Sequence, residues 1–403
     1  MKIEVEVIST ETIKPSSPTP NHLYNYQLSF LDQISPPVYM PMILFFADSD
    51  HTDNKLNKSH KADRLKTSLS ETLARFYPLA GRLIDNFSIA CSDEGVPYSE
   101  AKVKCELSEV VKDPVPGEFN KFLPRGLDEV DDTLLAIQVS FFQCGGIAVG
   151  ICISHKVADA LSLVMFITSW AATAREDGDV LSPTFDSVKL FPPRNLSGFK
   201  PSTGIIKEKI ATKRFVFSNS MVAALRLKYT EDSDEDCPIR PTRVEALSTF
   251  IWSRFAAATR ADSVPEKLYT VIHAVNLRTR MDPPLPEHSF GNLYRIAIAT
   301  PSMEAGNEGR GLVKQMRGTI KSIDGNYVTK SLREGLPLYE VDFGWGKPVR
   351  IGSAKLTFRN LVTFMDTRSG DGIEAWINLH EEDMAKFEAD KELLACVSQA
   401  CGY

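Results

Sequence analysis

The chain lacks long apolar runs, an excess of basic residues and any regular spacing of cysteines. No stretch approaches the roughly 20 apolar residues that a membrane-spanning helix needs, so we expect no membrane segment. With a formal net charge of −6, the surface is not the broadly basic one typical of nucleic-acid-binding proteins. Any anionic ligand therefore has to meet a local group of cations.

The cysteines are scattered along the chain, and no two of them are spaced C-x-x-C: Cys91, Cys105, Cys144, Cys152, Cys237, Cys396 and Cys401. An odd number without paired spacing is typical of a reducing compartment and offers no zinc-binding pattern. The N-terminal segment MKIEVEVIST alternates charged and apolar residues, which predicts a strand and not a signal peptide. We therefore expect a cytoplasmic protein without a bound metal.

Two known catalytic patterns are absent or incomplete. No G-x-S-x-G occurs, so the nucleophile elbow of an α/β-hydrolase is missing. Residues 370–375, GDGIEA, fit G-x-G-x-x-A, but a strand pattern follows where a dinucleotide site needs a helix. His288 and His380 have no neighbours at metal-ligand spacing, so packing or surface positions are favoured for both.

The length of 403 residues exceeds what one hydrophobic core normally fills, so two domains are expected. Helical and strand patterns alternate without an internal repeat, which predicts an α/β protein with mixed sheets. Residues 176–212 are rich in Pro, Gly, Ser and Asp, as in a surface linker. The predicted domains are therefore 1–175 and 213–403.

Local patterns predict two elements that matter below. The strand pattern Thr133–Phe142 and the apolar run Ile147–Ile153 are separated by a glycine-containing turn, which predicts a β-hairpin. A helical pattern covers residues 242–260, and Thr242 and Glu245 have the spacing of a capping box at its start.

The segment GICISHKVADA follows directly on the second hairpin strand. His155 stands where the buried strand stops, and Asp159 stands just before a long helical pattern. A side chain at such a junction has a rigid backbone and can face a cleft. A lone histidine near a strand end is nevertheless more often a structural residue than a catalyst. On spacing alone, both interpretations stay open.

A second motif, far along the chain, favours the catalytic interpretation of His155. DFGWGKP runs from Asp342 to Pro348, and the pair of motifs, H-x-x-x-D and D-F-G-W-G, resembles the plant BAHD acyltransferases. Further segments resemble landmarks of this family in the family's order: KPSSPTP, LDQ at Leu31, FYPLAGR at Phe76, FFQCGG, KRFVF, AVNLRTRMDPPLP and GNL at Gly291. The chain is most similar to the vinorine synthase branch and its alkaloid- and terpenoid-acetylating relatives.

The resemblance implies transfer of an acyl group, acetyl foremost, from acyl-CoA to a hydroxyl of a plant specialised metabolite. His155 is then the general base that takes the acceptor's proton, a role for which a neutral imidazole is suited near its usual pKa of about 6.5. It returns that proton to the departing CoA thiolate. The resemblance implies that no acyl-enzyme is needed and that neither Cys144 nor Cys152 is required as a nucleophile. Acyl-CoA is a co-substrate and not a permanent cofactor, and the protein is expected to act as a monomer.

The resemblance also assigns roles around His155. The motif aspartate, Asp159, is expected to turn away from the base and to pair with Arg278, which makes its role positioning and not proton relay. The resemblance assigns a catalytic role to Asp342 as well as to the histidine. The glycines and aromatic residues around it, Trp345 included, indicate a tight structural turn, so we expect Asp342 to act on fold integrity and on the shape of the CoA site.

The implied fold has two domains related to chloramphenicol acetyltransferase, with a channel through their interface. CoA enters from one face and the acceptor from the other. The CoA phosphates require N–H donors and cations, and the helix start at Thr242 and Arg243 offers both. An ordinary capped surface helix is the alternative there.

One departure from the family pattern bears on activity. Before YEVDFGWG the family has a strand with a Ser-Ser-Trp or Thr-Ser-Trp segment on the oxyanion side of the reaction, whereas here residues 310–337 are shortened and lack it. Loss of one oxyanion donor can cost roughly 10²–10³ in kcat. The alternative function is therefore a catalytically weak family member that binds CoA or a small molecule, or one that hydrolyses the thioester.

Overall fold

A computed structural model describes most of the chain. The described residues are 3–48, 54–112, 114–126, 129–178, 180–205, 209–230, 240–259, 269–300, 310–321, 323, 337–353, 355 and 358–397.

The largest sheet has six strands. In spatial order they are β1 (Val5–Ile13), β6 (Val96–Val103), β7 (Leu135–Phe141), β8 (Ile147–Ser154), β3 (Tyr39–Phe46) and β12 (Arg350–Gly352). The pair β6–β7 is parallel and the other pairs are antiparallel, so the sheet is mixed, as predicted. The predicted hairpin is confirmed as β7 and β8. Every residue of these two strands is buried, which agrees with their mostly apolar sequences, and the polar Gln138 and Ser140 of β7 are buried with the rest.

Two long helices pack together against this sheet, α2 (Asn54–Arg75) and α5 (Ala160–Ala174). Leu65, Leu69 and Leu73 are fully buried between them and the strands. The indole of Trp170 on α5 donates to the backbone oxygen of Leu65, at 3.2 Å. This helix pair fixes α5, whose first residue follows Asp159.

The later part of the chain has two smaller sheets. One is three-stranded, in the order β13 (Leu361–Asp366), β14 (Gly372–His380) and β9 (Ile210–Ser218). The other pairs β10 (Val271–Asn276) with β11 (Tyr294–Ala299). The helices of this part are α7 (Asn219–Lys228), α8 (Arg243–Thr259), α9 (Arg310–Lys321), α10 (Glu381–Glu388) and α11 (Lys391–Cys396). Residues 372–375 of the segment 370–375 are the first residues of strand β14, so a strand and not a helix follows the first glycine.

Short elements complete the described structure. A small sheet contains β2 (Asn25–Gln27), β5 (Ser88–Ala90) and β4 (Arg82–Leu83). The short helices are α1 (Phe30–Ile34), α3 (Leu107–Lys112), α4 (Pro116–Phe119) and α6 (Ser187–Leu190).

The later part of the chain contributes a strand to the sheet that the earlier part forms. Strand β12 comes late in the sequence but pairs with β3 in the first sheet. Within 176–212, the described residues contain α6, and β9 begins at Ile210. The boundaries at 175 and 213 stay a prediction, since the segment that carries β12 extends the sheet of the first half.

Three further findings concern the described residues alone. None of their helices is long and apolar enough to cross a membrane. No group of three histidine, cysteine or acidic side chains comes together there as a set of metal ligands. The five described cysteines are free thiols: Cys91, Cys105, Cys144, Cys152 and Cys396.

Candidate active site

His155 lies immediately after strand β8, where its backbone N–H donates to the carbonyl of Val38 at 2.9 Å. The ring Nδ1 lies 3.0 Å from the backbone oxygen of Ala158 and 3.0 Å from Oδ1 of Asn292. A carbonyl oxygen can only accept, so we assign the ring proton to Nδ1. This tautomer leaves a lone pair on Nε2, as a general base requires.

A buried network holds the partner of the histidine. The amide nitrogen of the Asn292 side chain donates to the backbone oxygen of His155 at 2.8 Å and to Oδ1 of Asp32 at 2.9 Å. The backbone N–H of Asn292 donates to the same Asp32 oxygen at 3.0 Å. Since both groups next to its amide nitrogen are acceptors, the orientation of the Asn292 amide is fixed.

Asp32 is fully buried at the start of helix α1. Its second carboxylate oxygen accepts from the backbone N–H of Ser29 at 2.9 Å and from the Ser29 hydroxyl at 2.6 Å. Burial raises the pKa of Asp32, and the hydrogen bonds from Ser29 and Asn292 oppose this rise. The N-terminal segment therefore anchors the group that orients His155.

Burial also lowers the pKa of His155 below 6.5, an effect opposed by the negative charge of Asp159 and by the hydrogen bonds to Ala158 and Asn292. The ring therefore stays neutral at neutral pH, with its lone pair on Nε2.

Asp159 pairs with Arg278 across the two halves of the chain. The pair is bidentate, with Nη1 donating at 2.8 Å and Nη2 at 3.1 Å. The carboxylate also accepts from the backbone N–H of Ser162, as the N-cap of α5, and from that of Leu293. The expected Asp159–Arg278 pair is thus present, and these contacts use both carboxylate oxygens.

Arg278 is itself 3% exposed, so the pair is withdrawn from solvent. Its Nε donates to the backbone oxygen of Ser289 at 2.9 Å, and Nη2 donates to the Ser162 hydroxyl at 3.0 Å. A buried guanidinium with this many acceptors fixes the segment around Gly291 and Asn292 against the start of α5.

Lys156, next to the histidine, is buried and caps helix α1. Its Nζ donates to the backbone oxygens of Asp32 at 2.6 Å, Gln33 at 2.9 Å and Ser35 at 3.2 Å. Burial lowers its pKa to about 8, and the charge of Asp32 opposes this shift. Both neighbours of His155, Lys156 in the sequence and Asn292 in space, therefore contact the segment that carries Asp32.

Asp342 and Trp345 lie in a tight turn. Oδ1 of Asp342 accepts from the backbone N–H of Gly344 at 2.7 Å and of Gly346 at 2.9 Å. Both glycines have positive φ, 100° and 104°, which explains why glycine is needed there. The Trp345 ring stacks on Phe343 with ring centroids 5.8 Å apart. These contacts are those of a structural turn, and the catalytic assignment of Asp342 stays a prediction.

Thr242 and Arg243 are at the start of α8, as predicted. The capping box is present, because the Thr242 N–H donates to Glu245 Oε2 at 2.8 Å and the Glu245 N–H donates to Thr242 Oγ1 at 3.2 Å. The guanidinium of Arg243 lies 3.4 Å from the carboxylate of Asp366. The capping box is confirmed, and the CoA contact stays a prediction.

Cys152, on the strand that ends at His155, is fully buried. Burial raises the pKa of its thiol to about 12, and its Sγ contacts the backbone oxygen of Arg125 at 3.7 Å. A thiol with this pKa is protonated at neutral pH and is not a nucleophile.

The sequence motifs do not predict four residues of the site: Asn292, Asp32, Lys156 and Tyr294. The Tyr294 ring lies against the His155 ring, with centroids 5.7 Å apart. A signal for two of them was present, because Asp32 lies in the landmark LDQ and Asn292 in the landmark GNL. Within the shortened stretch 310–337, residues 322 and 324–336 lie outside the described residues.

Comparison with known proteins gives matches over nearly the whole chain. The model of the Transferase family matches residues 3–308 and 302–394. Stemmadenine O-acetyltransferase of Catharanthus roseus is 37% identical over 421 aligned positions, with 97% of each chain covered. Limonoid 21-O-acetyltransferase of Melia azedarach is 36% identical, covering 98% of this chain and 99% of the relative.

The solved structures agree with the fold. The crystal structure of vinorine synthase has a TM-score of 0.84 and 34% identity, covering 98% of this chain and 99% of that one. TRI101 of F. sporotrichioides, solved with coenzyme A and T-2, has a TM-score of 0.71 at 18% identity, covering 94% of this chain and all of that one. The second likeness shows the fold alone, and both confirm a mixed α/β fold of two domains. The chain therefore belongs to the Transferase family and is a BAHD acyltransferase.

Proposed function

We propose that the protein transfers an acetyl group from acetyl-CoA to a hydroxyl of a plant alkaloid or terpenoid, with Nε2 of His155 as the general base. The observation that carries this proposal is the geometry at the ring, since Nδ1 of His155 lies 3.0 Å from the backbone oxygen of Ala158 and 3.0 Å from Oδ1 of Asn292. With the ring proton assigned to Nδ1, the lone pair is on Nε2. The names of the relatives, O-acetyltransferases acting on stemmadenine and a limonoid, support the acceptor class.

The reaction proceeds in one complex. As the acceptor oxygen attacks the thioester carbonyl, Nε2 takes the hydroxyl proton and the C–O bond forms. The C–S bond then breaks, and the imidazolium returns the proton to the leaving thiolate as free CoA. The buried thiol of Cys152 takes no part, so no acyl-enzyme accumulates.

Within this proposal, Thr242 and Arg243 contact the CoA phosphates, and acceptor and CoA meet through a channel between the domains. The enzyme works as a cytoplasmic monomer.

The decisive test replaces the base. His155→Ala is expected to reduce transfer from acetyl-CoA to a pool of plant alcohols by 10²–10⁴, the range of general-base catalysis, while leaving CoA affinity unchanged. Free-thiol release measures turnover, and calorimetric titration measures CoA binding. His288→Ala is the matched control, because the backbone oxygen of His288 accepts from Thr184 and that contact survives the change. A His155→Ala enzyme with more than about a tenth of wild-type activity would contradict the proposal.

The second candidate is a weak family member or a thioester hydrolase. One observation favours it, since the alignment with the first relative spans 421 positions whereas the chain has 403 residues. This chain therefore lacks residues that the relative has. If no pooled alcohol is acetylated but acetyl-CoA binds, the weak-binder candidate replaces the transferase.

A further inference from the structure

One face of the β10–β11 hairpin is aliphatic and exposed. Ile272 is 58% exposed, Ile296 is 53% exposed and Ile298 is 55% exposed. Ile272 pairs with Ile298, and the exposed Ala274 pairs with Ile296. Because paired residues of an antiparallel ladder lie on the same face, these four side chains form one continuous patch. We call this patch the aliphatic wall.

The opposite face of the hairpin is an ordinary core. There Val271 and Ala299 are buried in a cluster with Leu312 and Met316 of helix α9. The exposure of the aliphatic wall is therefore not a property of the whole hairpin. Single exposed apolar residues are common on protein surfaces, but a continuous aliphatic patch indicates a binding surface.

The aliphatic wall leads directly to the reaction centre. Tyr294 is two residues before Ile296, so it lies on the same face of β11. Its ring is the one that lies 5.7 Å from the ring of His155. Ile298 is four residues from Tyr294, which corresponds to about 14 Å along the strand. A ligand on this wall can thus place one end at His155 and extend over the isoleucines.

The chemistry of the face defines what it binds. Its six positions in the two strands are Ile272, Ala274, Asn276, Tyr294, Ile296 and Ile298, and none of them is charged. At the inner end, the side-chain oxygen of Asn276 accepts from the Arg278 backbone N–H at 3.1 Å. A sugar, or the amide-bearing arm of CoA, would leave polar groups unsatisfied against the isoleucines.

We propose that the aliphatic wall binds the hydrocarbon skeleton of the acceptor, which makes the acceptor an uncharged, rigid, multi-ring alcohol. This inference rests on the proposed function and deepens it. The hydroxyl to be acylated lies at the Tyr294 end beside His155, and the ring system covers Ile296 and Ile298. Short alcohols reach His155 without touching the outer isoleucines.

The test measures binding and turnover separately. The variants are Ile296→Asn and Ile298→Asn. The control is Val7→Asn, because Val7 is equally exposed, at 54%, on strand β1 of the six-stranded sheet. Equilibrium dialysis without CoA measures binding of a panel of steroid and pentacyclic triterpene alcohols. Steady-state kinetics give the KM for each panel member that reacts, for 1-hexanol and for acetyl-CoA.

We expect the wild type and Val7→Asn to bind at least one panel member, and each isoleucine variant to bind it about tenfold more weakly. The KM for 1-hexanol and the KM for acetyl-CoA should change less than twofold. The inference is overturned if no panel member binds, or if the isoleucine variants bind as the wild type does. It is also overturned if they raise the KM for acetyl-CoA, because the wall then binds the CoA arm.

Failure of the proposed function gives a different pattern. In that case the wild type acetylates neither the panel nor 1-hexanol, while dialysis still shows binding that depends on Ile296 and Ile298.

Discussion

At the scale of single residues, burial sets the direction in which the pKa of His155 moves, and the two hydrogen-bond acceptors of Nδ1 oppose it. As a base it works only unprotonated, so activity is present above its pKa and is lost as the pH falls through it. Since burial lowers this pKa, the acid limb of kcat/KM is expected to have its midpoint below pH 6.5.

Asn292→Ala is expected to move that limb to still lower pH, because the hydrogen bond to Asn292 raises the pKa of His155. The same change should reduce kcat about tenfold, the value of one hydrogen bond of about 1.4 kcal/mol. Initial rates between pH 5 and 8 measure both effects, and His288→Ala serves as control. A limb that moves to higher pH would show that Asn292 does not act through the ring proton.

Asp159→Asn is expected to destabilise the protein before it affects chemistry. The change leaves the guanidinium of Arg278 buried without its charged partner, and breaking a buried pair costs about 3–5 kcal/mol. Thermal unfolding measures the loss, and kcat should recover on cooling. Asp186→Asn breaks the exposed pair with Lys189 and should cost at most about 1 kcal/mol. A normally stable but inactive Asp159→Asn enzyme would instead indicate a proton relay.

His155 could be found because it follows an apolar strand and belongs to a local motif, but spacing alone did not separate base from structural residue. The Asp159–Arg278 pair came from family resemblance. Asn292 and Asp32 are 260 positions apart and meet only in the folded chain. No local pattern encodes such a contact, so the orienting group of the base was missed.

At the scale of elements, the start of α8 is the predicted CoA contact. Arg243→Gln is expected to raise the KM for acetyl-CoA several-fold with kcat unchanged, because it removes a cation but leaves the capping box of Thr242 intact. Arg254→Gln is the control on the same helix, since Arg254 pairs with Glu392 at 2.7 Å. Equal effects of both changes would show that helix stability, and not CoA contact, is being measured.

Elements were predictable where the pattern was long or sharply bounded. The β7–β8 hairpin has two mostly apolar strands around a glycine-containing turn, and α8 has a capping box, so both can be predicted within a few residues. Strand β12 has three residues and pairs with a strand about 300 positions earlier. Its sequence is too short for any periodicity, so no local pattern shows that it pairs with β3.

At the scale of the whole molecule, the shortened stretch 310–337 should affect water access. Because the sequence lacks the family's Ser-Ser-Trp segment, we expect wild-type enzyme to hydrolyse acetyl-CoA measurably in the absence of acceptor. The hydrolysis should disappear in His155→Ala and persist in His288→Ala, as measured by free-thiol release.

Insertion of a relative's Ser-Ser-Trp strand between Glu334 and Leu338 should raise transfer and lower hydrolysis, because ordered donors and water exclusion act together. A folded insertion variant with both rates unchanged would show that the oxyanion donors already exist elsewhere.

The Asp159–Arg278 pair and the Asn292 contact have a consequence for synthesis of the protein. The ribosome releases His155 long before it releases Arg278 and Asn292. Until those residues have been synthesised, Nδ1 of His155 lacks the Asn292 acceptor, and Asp159 lacks the guanidinium of Arg278. A nascent or truncated chain thus carries the motif without the assembled catalyst. Two separately expressed fragments, split in the predicted linker 176–212, are expected to become active only on reassociation, which makes acyl transfer a reporter of completed folding.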